Sequence, residues 1–230
     1  MLLNAVLFDL DGTLLDTIPD LANAANAMRQ ELGMATLPQQ TIATYVGKGT
    51  ENLVLRTLSD NPAGALPSQD AVQHGLGLFN RHYHACNGDH ATLYPQALEG
   101  LQAFRQAGFK MAIVTNKPTE FTLPLLARSG IAGFFDSVVC GDTCEQKKPH
   151  PMPMLHACTL LGVAPAQALA IGDSVNDAQA ARAANIAVLA VPYGYNEGMD
   201  VHNLEVDDIV TSIAEAARWA ARYETEYQKS

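Results

Sequence analysis

Five short apolar runs punctuate the chain, at residues 5–10, 110–115, 137–140, 168–171 and 186–191. Each has the length of a buried strand, and the first runs directly into turn chemistry at Asp11-Gly12-Thr13. Helical spacing fills the gaps at residues 96–106, 119–129, 151–161 and 177–184. Residues 208–223 close the chain with one more helix, expected on the outside of the sheet. Strands that alternate with helices predict an α/β fold: a doubly wound parallel sheet with a Rossmann-like core.

Residues 17–91 break this alternation. No strand is legible there. Helix-like segments at 19–32, 50–58 and 71–86 are separated by Gly, Pro and Asn, with residues 60–67 as a loop. A helical block placed after the first strand reads as an inserted α-helical cap, residues 17–91, on a catalytic core of residues 1–16 and 92–230. It is expected over the carboxyl ends of the strands, where such sheets bind ligands.

Composition narrows the partners. A chain of 230 residues with 48% hydrophobic and 17% charged positions can bury a core and does not read as disordered. Its formal net charge of −10 argues against nucleic acid, so an anionic ligand would need cations concentrated at its site. The segment before Asp9 lacks a basic leader and is too short to span a bilayer, so neither signal peptide nor membrane partner is expected. Cys86, Cys140, Cys144 and Cys158 do not form a disulfide framework. Cys140 and Cys144 lack a second matched pair and read as ordinary buried thiols. The expected compartment is a reducing cytoplasm.

Candidate chemistry gathers at strand ends. Asp9-Leu10-Asp11-Gly12-Thr13 places two carboxylates, one residue apart, where an α/β fold opens its ligand crevice. Such a pair attracts a hard divalent cation, or divides into nucleophile and proton carrier. Val114-Thr115-Asn116-Lys117 offers a hydroxyl and amides to an oxyanion. Lys147-Lys148-Pro149 supplies a cation, and Gly172-Asp173-Ser174-Val175-Asn176-Asp177 adds a second acid pair at a helix start. Taken singly, an exposed lysine, a strand-ending threonine or a capping aspartate is unremarkable. Four in this order, each after a strand, point to one site.

The set resembles the haloacid dehalogenase-like superfamily of phosphotransferases, whose four motifs match Asp9 to Thr13, Thr115, Lys148, and Asp173 with Asp177. Within it, the opening Asp-Gly-Thr-Leu-Leu-Asp-Thr and Val46-Gly47-Lys48-Gly49 are similar to those of the bacterial phosphoglycolate phosphatases. The resemblance implies a phosphomonoester hydrolase in which Asp9 attacks phosphorus and Asp11 carries the proton. It implies Mg²⁺ on Asp9, the Asp11 carbonyl and Asp173, with Asp177 orienting a water or Lys148. Thr115, the Asn116 amide and Lys148 would bind the phosphate; the lysine directly before proline matches the motif, so Lys148 is preferred to Lys147. The implied substrate is a small phosphorylated metabolite, 2-phosphoglycolate above others, giving glycolate and phosphate.

In the block at 17–91, Lys48 is the candidate partner for the substrate's carboxylate, weighed against an ordinary solvated lysine, with Arg56 behind it. His74, His82, His84 and His90 lack a matched set of metal-ligand spacings and read as surface or core histidines. The alternatives are a phosphatase for pyrophosphate or a sugar phosphate, a β-phosphoglucomutase-like phosphotransferase, a metal-free dehalogenase, and a non-catalytic phosphate-binding module.

Overall fold

The computed structural model describes residues 2–60 and 66–227. Strand β1 (Ala5–Phe8) and the short β2 (Leu15–Asp16) lead into four helices, α1 (Ile18–Glu31), α2 (Gln39–Ala43), α3 (Thr50–Ser59) and α4 (Gln69–Cys86). The chain returns through β3 (Thr92–Leu93), α5 (Ala97–Gln106), β4 (Lys110–Val114), α6 (Thr119–Arg128) and β5 (Ser137–Val139). It continues through α7 (Met152–Leu161), β6 (Ala168–Gly172), α8 (Val175–Ala183), β7 (Ala187–Ala190), β8 (Asp208–Ile209) and α9 (Ile213–Tyr227).

Six of the strands form one parallel sheet in the order β5-β4-β1-β6-β7-β8. Because its two faces are both covered, successive strand residues enter different cores. Val6 and Phe8 join Met111, Ile113, Leu169 and Ile171 under α5, α6 and α9. Ala5 and Leu7 join Ala112, Val114, Ala168 and Ala170 under α7 and α8. β1 has a parallel neighbour on each side, so the chain leaves it in opposite directions along the sheet. That switch point opens the crevice beside the carboxyl end of β1.

Helices α1, α3 and α4 enclose a third core, with Leu21, Met28, Val54, Phe79 and Tyr83 at its centre and Phe121 of α6 packed into it. Two short linkers join this unit to the sheet, and they pair antiparallel as β2 and β3, Leu15 opposite Leu93 and Asp16 opposite Thr92. The buried Asp20 carboxylate clasps the return linker, accepting from the backbone N–H groups of Gly88, His90 and Ala91 at 2.9–3.1 Å. Among the described residues no helix is long and apolar enough to cross a membrane.

Three local expectations are revised. Residues 208–223 are not one helix: Val210 N–H donates to the Ala190 carbonyl, so Asp208 and Ile209 extend the sheet. The helix starts at Ile213, where Ser212 Oγ and the Glu215 carboxylate cap its first turn. Within residues 17–91 the described residues hold no strand, as expected, since β2 ends at Asp16 and β3 begins at Thr92, but a further helix, α2, stands between the first two expected ones. Helix α8 begins at Val175, ahead of residue 177, because Asp177 Oδ2 accepts from Ser174 N–H and Oγ. Of the expected 60–67 loop, residues 61–65 lie outside the described residues.

Candidate active site

Every motif residue follows a strand of the central sheet. Asp9 extends β1, its N–H donating to the Ile171 carbonyl at 2.9 Å, and Thr115 extends β4 through the Val139 carbonyl at 2.9 Å. Asp173 follows β6, and Asp177 lies in the first turn of α8. Gly12, at φ +91°, turns the chain under Asp173; a Cβ there would stand 2.6 Å from Asp173 Oδ2. The sheet thus brings Asp9, Asp11, Thr115, Asn116, Lys148, Asp173 and Asp177 to one cavity.

Lys148 is the hub. Its ammonium, on a residue 4% exposed, donates to Asp9 Oδ1 at 2.7 Å, Asp177 Oδ1 at 2.6 Å and the Val114 carbonyl at 2.6 Å. All three donors are used. Burial disfavours its charge, but Asp177 and Asp9 outweigh that and hold the group above the usual lysine range.

Asn116 fixes the Lys148 backbone. Its carboxamide donates to the Lys148 carbonyl (2.9 Å) and the Gly47 carbonyl (3.0 Å), and accepts from Lys148 N–H (2.9 Å). The side chain is therefore committed, and the Asn116 backbone amide is the group left to offer an anion. Asn116→Ala would orphan these buried backbone groups, so urea denaturation is expected to show a loss of about 2–4 kcal/mol.

The acids form an unbalanced cluster. Carboxylate oxygens of Asp9, Asp173 and Asp177 lie within 4.8 Å of one another. Three buried carboxylates face one ammonium, leaving two negative charges without compensation. Burial, then the neighbouring Asp177, pushes Asp173 up to about 6. Burial, with Asp177 and Asp173 adding to it, raises Asp9 well above the carboxylate range against the pull of Lys148. Such an excess on hard oxygen donors fits a divalent cation. The Asp177 oxygens are taken by Lys148 and Ser174, whereas Asp9 engages only Oδ1 in its contact with Lys148 and keeps Oδ2 for a cation. Thr13 Oγ1 (3.0 Å) and Tyr195 N–H (2.7 Å) orient Asp173. Gly194 leaves it room, since a Cβ there would meet Asp173 Cβ at 2.2 Å.

Asp11 stands apart from that cluster. Its Oδ1 accepts from Lys117 Nζ at 3.0 Å and Thr17 Oγ1 at 2.6 Å. Lys117 in turn donates to the Tyr83 hydroxyl of α4 at 2.6 Å. Neither Lys117 nor Tyr83 stands out in the sequence; the only signal is the position of Lys117, two residues after Thr115. Lys48, weighed in the sequence between a substrate contact and a solvated lysine, is half exposed on the surface. It pairs with Glu197 Oε1 at 2.8 Å, its side chain 47% exposed, and Arg56 joins the same carboxylate at 3.3 Å. The histidines are dispersed: His82 contacts Glu31, His84 contacts Glu120 and His90 contacts Asp20.

The match to known proteins agrees with this geometry. The family model for haloacid dehalogenase-like hydrolases matches residues 6–191, and the chain belongs to that family. Its relatives are narrower in name. It is 51% identical over 216 residues to a phosphoglycolate phosphatase of Nitrosospira multiformis, covering 94% of this chain and 95% of that protein. A phosphoglycolate phosphatase of Thiobacillus denitrificans is 47% identical, with 94% of each chain covered. A crystal structure from Haemophilus somnus, described as a predicted phosphoglycolate phosphatase, superposes with a TM-score of 0.89 at 31% identity, covering 94% of this chain and 97% of that one. The protein is a phosphatase of this hydrolase family.

Proposed function

We propose that the protein is a cytoplasmic, magnesium-dependent phosphatase that hydrolyses 2-phosphoglycolate to glycolate and phosphate through an aspartyl-phosphate on Asp9. The observation that carries this reading is the Lys148 ammonium, held between Asp9 and Asp177 at 2.7 and 2.6 Å beside Asp173. The substrate assignment draws on the relatives' names and on the small cavity between sheet and helices.

In this reading an Asp9 oxygen attacks phosphorus, and the bond from phosphorus to the glycolate oxygen breaks. Asp11 gives that oxygen its proton. Asp11 then takes a proton from water as the water attacks the phosphorus of the acyl phosphate, which frees Asp9 and releases phosphate. The Thr115 hydroxyl and the Asn116 amide hold the phosphoryl oxygens, and the Lys148 ammonium offsets the charge spread over them. Asp9, Asp173 and the Asp11 carbonyl are the groups that would hold Mg²⁺, which when bound offsets the excess negative charge and keeps Asp9 ionised. Asp177 acts as a positioning residue through Lys148 and Ser174. Residues 17–91 serve as the cap that closes the cavity and selects the leaving group.

The intermediate is directly testable. Acid quench of a reaction with radiolabelled 2-phosphoglycolate should leave label on the peptide containing Asp9; label on another residue, or none during turnover, would exclude the mechanism. Lys48 serves the cap as an exposed tie to Glu197. Lys48→Ala should lower kcat/KM by less than about fivefold, and by the same factor for 2-phosphoglycolate and an aryl phosphate. A loss confined to 2-phosphoglycolate would return Lys48 to the substrate.

A further inference from the structure

Lys117 is a buried lysine that the proposed chemistry leaves without a task. It is 6% exposed, and it lines the same cavity as Asp9, Asp11 and Thr115. Among the described residues, its ammonium donates to Asp11 Oδ1 at 3.0 Å, more loosely to Asp11 Oδ2 at 3.4 Å, and to the Tyr83 hydroxyl at 2.6 Å, and sits 4.7 Å from the centre of the Tyr83 ring. Its two contacts to Asp11 reach a single carboxylate, and the longer of them, at 3.4 Å, is the one an incoming anion would replace. We propose that Lys117 determines substrate specificity by receiving the carboxylate of the leaving group, a role that rests on the 2-phosphoglycolate reading above.

Three observations direct the carboxylate to Lys117. The first is donor capacity. Among the described residues, Lys117 and Lys148 are the cations lining the cavity; Lys148 has all three donors committed to Asp9, Asp177 and the Val114 carbonyl at 2.6–2.7 Å, whereas Lys117 holds Asp11 Oδ2 only at 3.4 Å and can exchange that contact. Lys48 is paired with Glu197 outside the lining.

The second is position. Asp11 marks the side of the cavity on which the leaving oxygen is protonated, and Lys117 lies directly beyond it, towards Tyr83. In 2-phosphoglycolate one methylene separates the bridging oxygen from the carboxylate, so a tail this short ends next to whatever holds Asp11.

The third is environment. Leu21, Val46 and Leu53 wall the cavity alongside Tyr83, and an ion pair formed between such walls is screened little by water. The same walls offer nothing to an extended polar tail such as that of a sugar phosphate. Lys148 shows that a buried ammonium in this fold serves two carboxylates at once.

The test compares 2-phosphoglycolate with ethyl phosphate, which has the same phosphate and a two-carbon tail without charge. Ethyl phosphate reports any general effect on Asp11, so the ratio of the two kcat/KM values isolates the carboxylate. Wild-type protein should prefer 2-phosphoglycolate. Lys117→Met should reduce that preference by about tenfold to a hundredfold, the loss expected for a buried charge-assisted contact, and Lys117→Arg should restore most of it. Lys117→Gln still donates to Asp11 and Tyr83 but carries no charge; it should lose the preference in the same way, and it serves if the Met variant does not fold. A preference unchanged within threefold in these uncharged variants would overturn the proposal, whether both rates fall together or neither does. Wild-type protein that does not distinguish the two substrates would overturn the 2-phosphoglycolate reading itself, and the specificity role with it.

Discussion

Asp9→Asn is expected to lower kcat for phosphomonoester hydrolysis by about four orders of magnitude or more, with the fold retained. A carboxamide has the size of the carboxylate and still accepts from Lys148 Nζ, 2.7 Å away in the wild type. It cannot form the acyl phosphate. The stability effect should run the other way from the activity effect. Asp9, Asp173 and Asp177 crowd three buried carboxylates around one ammonium, and burial with its acidic neighbours raises the Asp9 carboxyl. A carboxyl whose folded-state pKa is raised destabilises the fold progressively as pH climbs from its unfolded-state value to its folded-state value, because the unfolded chain ionises more readily over that range. At neutral pH without metal, Asp9→Asn should therefore melt no lower than wild type. Substantial turnover by the folded variant would remove Asp9 from the mechanism, and a large loss of Tm would contradict the electrostatic account of the cluster.

Removal of divalent metal should have the next largest effect. Chelation should depress activity by about a thousandfold or more, and added Mg²⁺ should restore it, whereas Ca²⁺, with its longer bonds and higher coordination, should restore little. Mg²⁺ should also raise Tm, since a ligand that binds only the folded state stabilises it. Both effects should need more Mg²⁺ in Asp173→Asn, because Asp173 is the acid that Thr13, Tyr195 and the gap at Gly194 hold in place. Activity indifferent to chelation would favour a metal-free reaction at Asp9, such as dehalogenation, over phosphate hydrolysis.

What the sequence made legible follows from physics. Parallel strands covered on both faces are apolar at nearly every position, so β1, β4 and β6 stand out without any structure. The ligand crevice of such a sheet lies at the strand ends, and the polar residues that follow Phe8, Val114 and Gly172 are those that meet in the cavity. Pairing between distant residues carries no local pattern. Nothing in Val46-Gly47-Lys48-Gly49 reveals that Lys48 meets Glu197, 149 positions away. Nothing in Thr115-Asn116-Lys117 reveals that Lys117 is buried against Tyr83, because a lysine after a strand is ordinarily solvated. The short pairing of β2 with β3 was hidden for the same reason: two residues are too few for periodicity to register.

The central claim is that this site hydrolyses a small carboxylated phosphomonoester, and a ranking of substrates by kcat/KM in Mg²⁺ tests it most directly. The panel should contain 2-phosphoglycolate, ethyl phosphate, pyrophosphate, hexose 1- and 6-phosphates and an aryl phosphate, with phosphate and the second product both measured. The account predicts 2-phosphoglycolate first, glycolate and phosphate in equal amounts, and the preference lost when the Lys117 charge is removed. A flat ranking, or a sugar phosphate or pyrophosphate at its head, would contradict it.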